Sequence, residues 1–172
     1  MLRDYFEFFA LPHNLAIDLK DLEKRFYALS RELHPDRFVR RSEAERERAL
    51  EDSATLNDAY RTLRDPIARS LFLLKLEGFD IGEQGSKDVP PELLEEMFEL
   101  NMAIEEADAP QLEASLRRFE KMRDELDSEL QAKFAEWDVN HTREALGAIR
   151  GVLNRRKYIT NLIEKTNVPD RV

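Results

Sequence analysis

The sequence Leu33-His34-Pro35-Asp36-Arg37-Phe38 separates two amphipathic segments that have a helical repeat, and it decides how the first half of the chain folds. Pro35 ends the first of these helices, because a proline pushes the residue before it out of the helical region. Asp18 is a plausible N-cap, so this helix is predicted to run from Asp18 to about Leu33. Its apolar residues follow three- and four-residue steps, and they predict one buried stripe made of Leu19, Leu22, Phe26, Leu29 and Leu33.

The segment after the tripeptide begins with an arginine-rich loop and is predicted to become helical near Ser42. Glu45 follows three residues later and would complete a capping box, and the helix continues to Leu63. Pro66 is predicted to open the next helix and Gly78 to close it. No good alternating strand pattern is present, so the predicted fold is all-α. Further helices are predicted at residues 4–10, 67–76, 91–107, 110–137 and 141–165.

Composition restricts the class of protein. The chain has 172 residues, of which 42% are hydrophobic, so a folded core is expected. It has no cysteine, which excludes disulfides, thiolate nucleophiles and cysteine-bound zinc or iron–sulfur clusters within the chain. No signal peptide and no apolar stretch long enough to span a bilayer are recognisable. A soluble, cytoplasmic protein without a membrane partner is therefore predicted.

The net charge of −9 is unevenly distributed and predicts two domains. Residues 1–76 hold 14 basic and 14 acidic side chains, whereas residues 77–172 hold 13 and 22. Such asymmetry favours domains with different partners, and the acidic total argues against nucleic acid as a ligand. Residues 1–76 are predicted as the first domain and residues 77–90 as a linker. Residues 91–172 are predicted to form a three-helix antiparallel bundle, with Asn140 as a candidate cap for the last helix.

The tripeptide is better suited to recognition than to catalysis. Pro35 stiffens an exposed turn, which lowers the entropy cost of docking. Asp36 offers a carboxylate that an arginine can grip bidentately, and His34 offers a ring that can donate and accept hydrogen bonds. A hydrolase would need a nucleophile beside this pair, but Ser30 and Ser42 have no elbow or oxyanion-hole sequence around them. No metal site or cofactor is predicted, because the three histidines are far apart in the sequence.

The order of these features resembles a J domain, the module that triggers ATP hydrolysis in DnaK-type chaperones. The resemblance rests on the short opening helix, the tripeptide, the arginine-rich loop and the late segment from Asn57 to Leu63. In J domains the helix before the tripeptide also contacts the ATPase through basic residues, although an ordinary solvated face is the alternative here. The chaperone-binding residues that the resemblance implies are His34, Pro35, Asp36, Lys24, Arg25 and Arg31.

The helix predicted at 91–107 has two apolar sides. One side is the expected core stripe, formed by Leu93, Met97, Leu100, Ile104 and Ala107. A second side carries Leu94, Phe98 and Met102, with Glu95, Glu99 and Glu106 beside them. A three-helix bundle buries only one stripe of each helix well, so an apolar stripe rimmed by acids predicts a protein-binding face. The alternative is that the second stripe packs on the first domain or inside a broader core.

Tyr158 stands out in the last predicted helix. The core stripe of that helix is formed by Leu146, Ile149, Val152, Leu153, Ile159 and Ile163. Tyr158 falls nearly opposite this stripe on a helical wheel. It is therefore either a lone surface aromatic, which is common, or part of a contact patch.

Longer motifs extend the resemblance over nearly the whole chain. They are the segments 4–12, 33–38, 53–60, 65–70 and 74–80. Together they resemble the HscB family of J-type co-chaperones of iron–sulfur cluster biogenesis. The resemblance implies that the C-terminal domain binds the cluster scaffold IscU and that the J domain binds the specialised chaperone HscA in its ATP state. Docking of the tripeptide together with the scaffold peptide would speed ATP hydrolysis and favour cluster transfer to acceptor proteins. The chain itself would be no enzyme, and any cluster would sit on the partner.

The resemblance also implies a set of scaffold-binding residues. In the HscB family the scaffold is held by the first C-terminal helix and by an aromatic of the last one. Two positions depart from the family pattern, because Glu95 replaces a usual apolar residue and Met102 a usual acid. The implied scaffold-binding residues are Leu94, Glu95, Phe98, Glu99, Met102, Glu106 and Tyr158.

Three alternatives remain open from the sequence. The first is a general J-domain co-chaperone that serves DnaK and other client proteins. The second is a small hydrolase that uses His34 and Asp36, and the third is a structural helical adaptor in which His34 is dispensable.

Overall fold

The structure, a computed structural model, describes residues 3–79 and 91–167, apart from the side chains of Pro35, Glu92 and Leu93. The all-α prediction is confirmed, because every α-helix predicted from the sequence is present and no strand occurs in the described ranges. The helices are α1 (Tyr5–Phe8), α2 (Leu19–Glu32), α3 (Glu43–Arg64), α4 (Pro66–Leu76), α5 (Pro91–Glu105), α6 (Ala109–Asn140) and α7 (Arg143–Thr166).

The contacts divide the chain into two compact units, Met1–Phe79 and Asp80–Val172. Helices α1 to α4 belong to the first unit, and α5 to α7 belong to the second. Most of the predicted linker, residues 80–90, lies outside the described residues, as do residues 168–172 of the predicted C-terminal domain.

Side-chain caps fix the starts of the helices in the first unit. The predicted Asp18 cap of α2 is confirmed, since its carboxylate accepts the backbone N–H of Lys20 at 2.8 Å. The predicted capping box of α3 is also confirmed. The Ser42 hydroxyl accepts the N–H of Glu45, and the Glu45 carboxylate accepts the N–H of Ser42 at 2.9 Å. The Ser42 hydroxyl also donates to the Glu45 carboxylate at 2.7 Å, and this bond, together with that from the Ser42 N–H, holds the pKa of Glu45 below its usual value.

The first unit is built around a core of fully buried apolar side chains. Its most buried members include Phe6, Phe9, Leu15, Leu22, Leu56, Leu63, Leu73 and Leu74. The predicted apolar stripe of α2 is correct for Leu22, which is buried, but Leu19 at the start of the helix is exposed. The aromatic ring of Phe26 stacks on Tyr60 with 4.3 Å between ring centroids, which holds α2 against α3.

The connection between α6 and α7 differs from the sequence prediction. Asn140 is the last residue of α6 rather than the cap of α7, so the predicted cap is wrong. His141 ends α6 in the left-handed region with φ of 49°, and its N–H donates to the carbonyl of Trp137 at 2.8 Å. Thr142 then caps α7, because its hydroxyl accepts the N–H of Ala145. The hydrogen bond from the left-handed His141 closes the last turn of α6, so the helix runs three residues past its predicted end at Trp137.

Helices α6 and α7 pack along each other, and α5 packs on α7. The short connection through His141 and Thr142 makes α6 and α7 antiparallel, as predicted. Side chains of α5 and α7 pair in the same order along both helices, which makes these two helices parallel: Glu96 with Arg155, Asn101 with Tyr158, and Glu105 with Lys165. The core between the helices includes Leu100, Ile104, Phe119, Leu126, Leu130, Phe134, Ile149, Leu153 and Ile159.

Candidate protein-binding surfaces

The tripeptide forms a short 3₁₀ turn, Pro35–Phe38, where the sequence predicts only a loop. His34 caps this turn, because its Nδ1 accepts the backbone N–H of Asp36 at 3.3 Å. The N–H of Arg37 donates to the carbonyl of His34 at 3.0 Å, and the Arg37 guanidinium donates to the carbonyl of Arg31 at the end of α2. The turn is therefore ordered by its own residues before any partner arrives.

The polar groups of the turn face solvent. The side chain of His34 is 56% exposed and that of Asp36 is 85% exposed, with 3.6 Å between His34 Nδ1 and the nearer carboxylate oxygen. A neutral histidine whose Nδ1 accepts a hydrogen bond carries its proton on Nε2. The turn thus offers a partner one N–H donor and one carboxylate acceptor side by side. The side chain of Pro35 lies outside the described residues.

The three basic residues of α2 differ in their surroundings. Lys24 and Arg31 are exposed, in keeping with the face predicted for them. Arg25 is half-buried, and its guanidinium donates to the carbonyls of Phe9 and Ala10 at 3.0 and 2.9 Å and to Asp21 at 2.7 Å. Arg25 therefore ties α2 to the end of α1, and its contact with a chaperone stays a prediction.

Helix α5 has a buried side and an apolar exposed side. Leu100 and Ile104 are buried, as predicted for the core stripe, whereas the side chain of Leu93 lies outside the described residues. On the other side, Leu94 is 46% exposed, Phe98 67% and Met102 39%. These fractions argue against burial of the second stripe in a broader core.

Acidic side chains border this apolar surface. Leu94, Glu95, Phe98 and Glu99 line a shallow open groove on α5. Glu106 is exposed directly after the end of the helix, and its N–H donates to the carbonyl of Met102. An apolar floor with a carboxylate rim suits a partner segment that carries apolar and basic side chains.

Tyr158 is half-buried, and its hydroxyl faces α5. It donates to the carbonyl of Met97 at 2.6 Å and accepts from Nδ2 of Asn101 at 2.7 Å. Burial, and secondarily the charge of Glu96, raise the pKa of Tyr158 above its ordinary value. The sequence prediction missed Asn101, although a polar residue flanked by Leu100 and Met102 is a signal that could have found it.

The described residues contain no sign of metal or membrane chemistry. Within residues 3–79 and 91–167, no three His, Asp or Glu side chains gather where a metal ion could bind. None of the helices described here is both long and apolar enough to cross a membrane.

Comparisons with known proteins identify the class to which this fold belongs. Residues 89–167 match the family model described as the HSCB C-terminal oligomerisation domain. The chain is similar to the solved chaperone HscB from Vibrio cholerae, with 30% identity, a TM-score of 0.67 and 95% of each chain covered. It is also similar to the crystal structure of the human co-chaperone protein HscB, with 28% identity and a TM-score of 0.72, over 95% of this chain and 80% of that one. The class is thus a two-unit helical co-chaperone.

A curated relative shows the family. The human iron-sulfur cluster co-chaperone protein HscB is 30% identical over 167 residues, which cover 95% of this chain and 67% of the human protein. The chain belongs to the HscB family of iron–sulfur cluster co-chaperones.

Proposed function

We propose that this chain joins two proteins, a DnaK-type chaperone of the HscA kind and an iron–sulfur scaffold of the IscU kind. The turn around His34 and Asp36 docks on the chaperone, while the exposed side of α5 around Leu94 and Phe98 binds the scaffold. The chain breaks no bond itself and needs no cofactor of its own in this proposal. Its effect is to bring the scaffold to the chaperone when the chaperone holds ATP.

The observation that carries the proposal is the exposure of an ordered His-Pro-Asp turn in one unit and of an apolar, acid-rimmed helix face in the other. The turn presents the His34 ring and the Asp36 carboxylate to solvent. The helix face, hereafter the docking face, is formed by Leu94, Phe98 and Met102 with Glu95 and Glu99 beside them. Phe98 is the most exposed of its three apolar side chains. Such a face costs solvation free energy unless a partner covers it, which is what a docking role provides.

The mechanism follows from these two surfaces. The Asp36 carboxylate can accept a bidentate arginine of the chaperone, and the His34 Nε2–H can donate beside it. Because the turn is already held by the His34 cap, little conformational entropy is lost on docking. Docking at the turn then favours the conformation in which the chaperone hydrolyses ATP, and the tethered scaffold is captured by the chaperone.

Single-turnover ATP hydrolysis tests the proposal. The rate for an HscA-type chaperone is measured with this protein, with and without an IscU-type scaffold, and compared with the His34→Gln variant. We expect stimulation that grows synergistically with the scaffold and disappears in His34→Gln. The melting temperature of the variant should change little, because the His34 side chain is exposed and its cap is a single hydrogen bond of 3.3 Å. The scaffold affinity should be unchanged, since His34 lies in the other unit.

A second histidine variant serves as the matched control. His141→Asn changes a histidine of the other unit, at a left-handed position that asparagine tolerates. It should leave the stimulation intact. Stimulation that ignores the scaffold would favour a general J-domain co-chaperone, and stimulation that survives in His34→Gln would contradict the role of the turn.

A further inference from the structure

A row of polar contacts joins α5 to α7. At one end, Arg155 donates to the Glu96 carboxylate at 2.8 Å. At the other end, Lys165 donates to Oδ1 of Asn101 at 3.0 Å and to Glu105 at 3.2 Å. The Tyr158 hydroxyl lies between these contacts.

The contact made by Tyr158 differs from the other two because it reaches the backbone of α5. The hydroxyl donates to the carbonyl of Met97, the residue that directly precedes Phe98. Asn101 donates to the same hydroxyl and, at 3.0 Å, to the same carbonyl. A hydroxyl that both donates and accepts here, in a half-buried setting, joins the two helices at one defined point.

This contact can set the rotation of α5 about its own axis. Burial of Leu100 and Ile104 holds the helix against the unit, but apolar burial is non-directional. A hydrogen bond has a narrow range of distance and angle, so it fixes what apolar contact leaves loose. One residue of helix corresponds to about 100° of rotation, and a partial rotation would already carry Phe98 toward or away from the partner.

We propose that Tyr158 is a positioning residue, whose hydroxyl, together with Asn101, fixes α5 on α7 so that Leu94 and Phe98 are presented to the scaffold. The inference deepens the proposed function and rests on it. It changes the role expected of Tyr158 from a direct scaffold contact to a contact within the protein. The raised pKa of Tyr158 has the same structural origin, because burial of the hydroxyl against α5 disfavours the charged phenolate.

The test is the Tyr158→Phe variant, which keeps the ring and removes only the hydroxyl. We expect the affinity for the scaffold to fall by about fivefold, the worth of one net hydrogen bond. In the protein without scaffold, backbone amides of α5 should exchange with solvent faster than in the parent, while those of α6 should not. A side chain that only contacts the scaffold would not alter exchange in the free protein.

Thr160→Val is the matched control. Thr160 is also a hydroxyl residue of α7, but its hydroxyl donates to the carbonyl of Arg156 in its own helix. Its removal should change neither the scaffold affinity nor the exchange of α5. The double variant of Tyr158→Phe with Asn101→Ala should lose less scaffold affinity than the sum of the losses in the two single variants. The two side chains belong to one hydrogen-bonded group, so their effects are not additive.

The outcomes separate this inference from the proposed function. If Phe98→Ala weakens scaffold binding and Tyr158→Phe does not, the positioning role is wrong and the docking face stands. Weaker binding by Tyr158→Phe with unchanged exchange in α5 would also overturn the positioning role, because it would show a direct contact of the hydroxyl. If Phe98→Ala has no effect, the docking face itself is wrong.

Discussion

Phe98 is the side chain on which scaffold binding is expected to depend most. It is the most exposed of the apolar side chains on its face of α5. Truncation of a central apolar contact costs about 2 kcal/mol or more, so Phe98→Ala should weaken scaffold binding by about 30-fold. The melting temperature should barely change, since substitutions at exposed positions stay within about 0.5 kcal/mol. Isothermal titration and thermal unfolding measure the two effects.

Leu100→Ala is the opposite control on the same helix. Leu100 is buried, so its truncation should lower the free energy of unfolding by about 2–5 kcal/mol. A large drop in melting temperature for Phe98→Ala, similar to that of Leu100→Ala, would show that Phe98 belongs to the core.

Residue periodicity predicted one part of this surface and missed another. The two sides of α5 follow from the spacing of apolar residues, so the exposure of Phe98 and the burial of Ile104 were predictable. The bond between Tyr158 and the carbonyl of Met97 was not, because it depends on how two helices distant in sequence are aligned. A helical wheel treats each helix alone and carries no such information.

At the level of the elements, Arg25 joins the first two helices. Arg25→Lys keeps the charge, but an ammonium cannot reach two carbonyls and a carboxylate in the planar geometry of a guanidinium. We expect a loss of about 1–2 kcal/mol in the free energy of unfolding, from hydrogen bonds left unmade at the carbonyls of Phe9 and Ala10. Chemical denaturation measures this loss.

Lys24→Ala is the matched control for Arg25, since Lys24 is its exposed neighbour on α2. It should leave the unfolding free energy within about 0.5 kcal/mol of the parent. If Arg25→Lys proved as stable as the parent yet stimulated ATP hydrolysis poorly, Arg25 would be a chaperone contact rather than a link between helices.

The helix ends show what local sequence can and cannot predict. Starts with a side-chain cap, such as Asp18 and Ser42, were predictable because the cap and its target lie within three residues. The end of α6 was not, because it is set by His141 in the left-handed region, a conformation that a residue other than glycine rarely adopts. The 3₁₀ turn after His34 was missed for a different reason, because its four residues are too few to show a periodic pattern of apolar side chains.

At the scale of the whole molecule, the distribution of charge is expected to affect the rate at which a scaffold associates. All of the net charge of −9 lies in residues 77–172, where Glu95 and Glu99 border the docking face. The Debye length, over which salt screens a charge, shortens from about 10 Å at 0.1 M salt to about 3 Å at 1 M. The association rate with the scaffold should therefore fall as salt rises, while the dissociation rate changes little. Stopped-flow binding across a salt series measures both rates.

Two double variants of equal net charge distinguish the effect of the acidic rim, formed by Glu95 and Glu99, from the effect of the net charge of the protein. Glu95→Gln with Glu99→Gln should flatten the salt dependence of the association rate. Glu113→Gln with Asp124→Asn removes the same charge from exposed positions of α6 and should leave that dependence steep. Equal flattening by both variants would show that net charge, not the rim, steers the scaffold.

The parallel course of α5 and α7 has a consequence for the field at one end of the bundle. Helix α5 ends at Glu105 and α7 at Thr166, and the contact of Lys165 with Glu105 places these two carboxyl ends together. Each carboxyl end carries the equivalent of about half a negative charge, and the amino end of the antiparallel α6, which begins at Ala109, offsets only about half of their sum. The Lys165 ammonium offsets the remainder, and a chain without it would leave about half an extra negative charge beside two glutamates, Glu105 and Glu106.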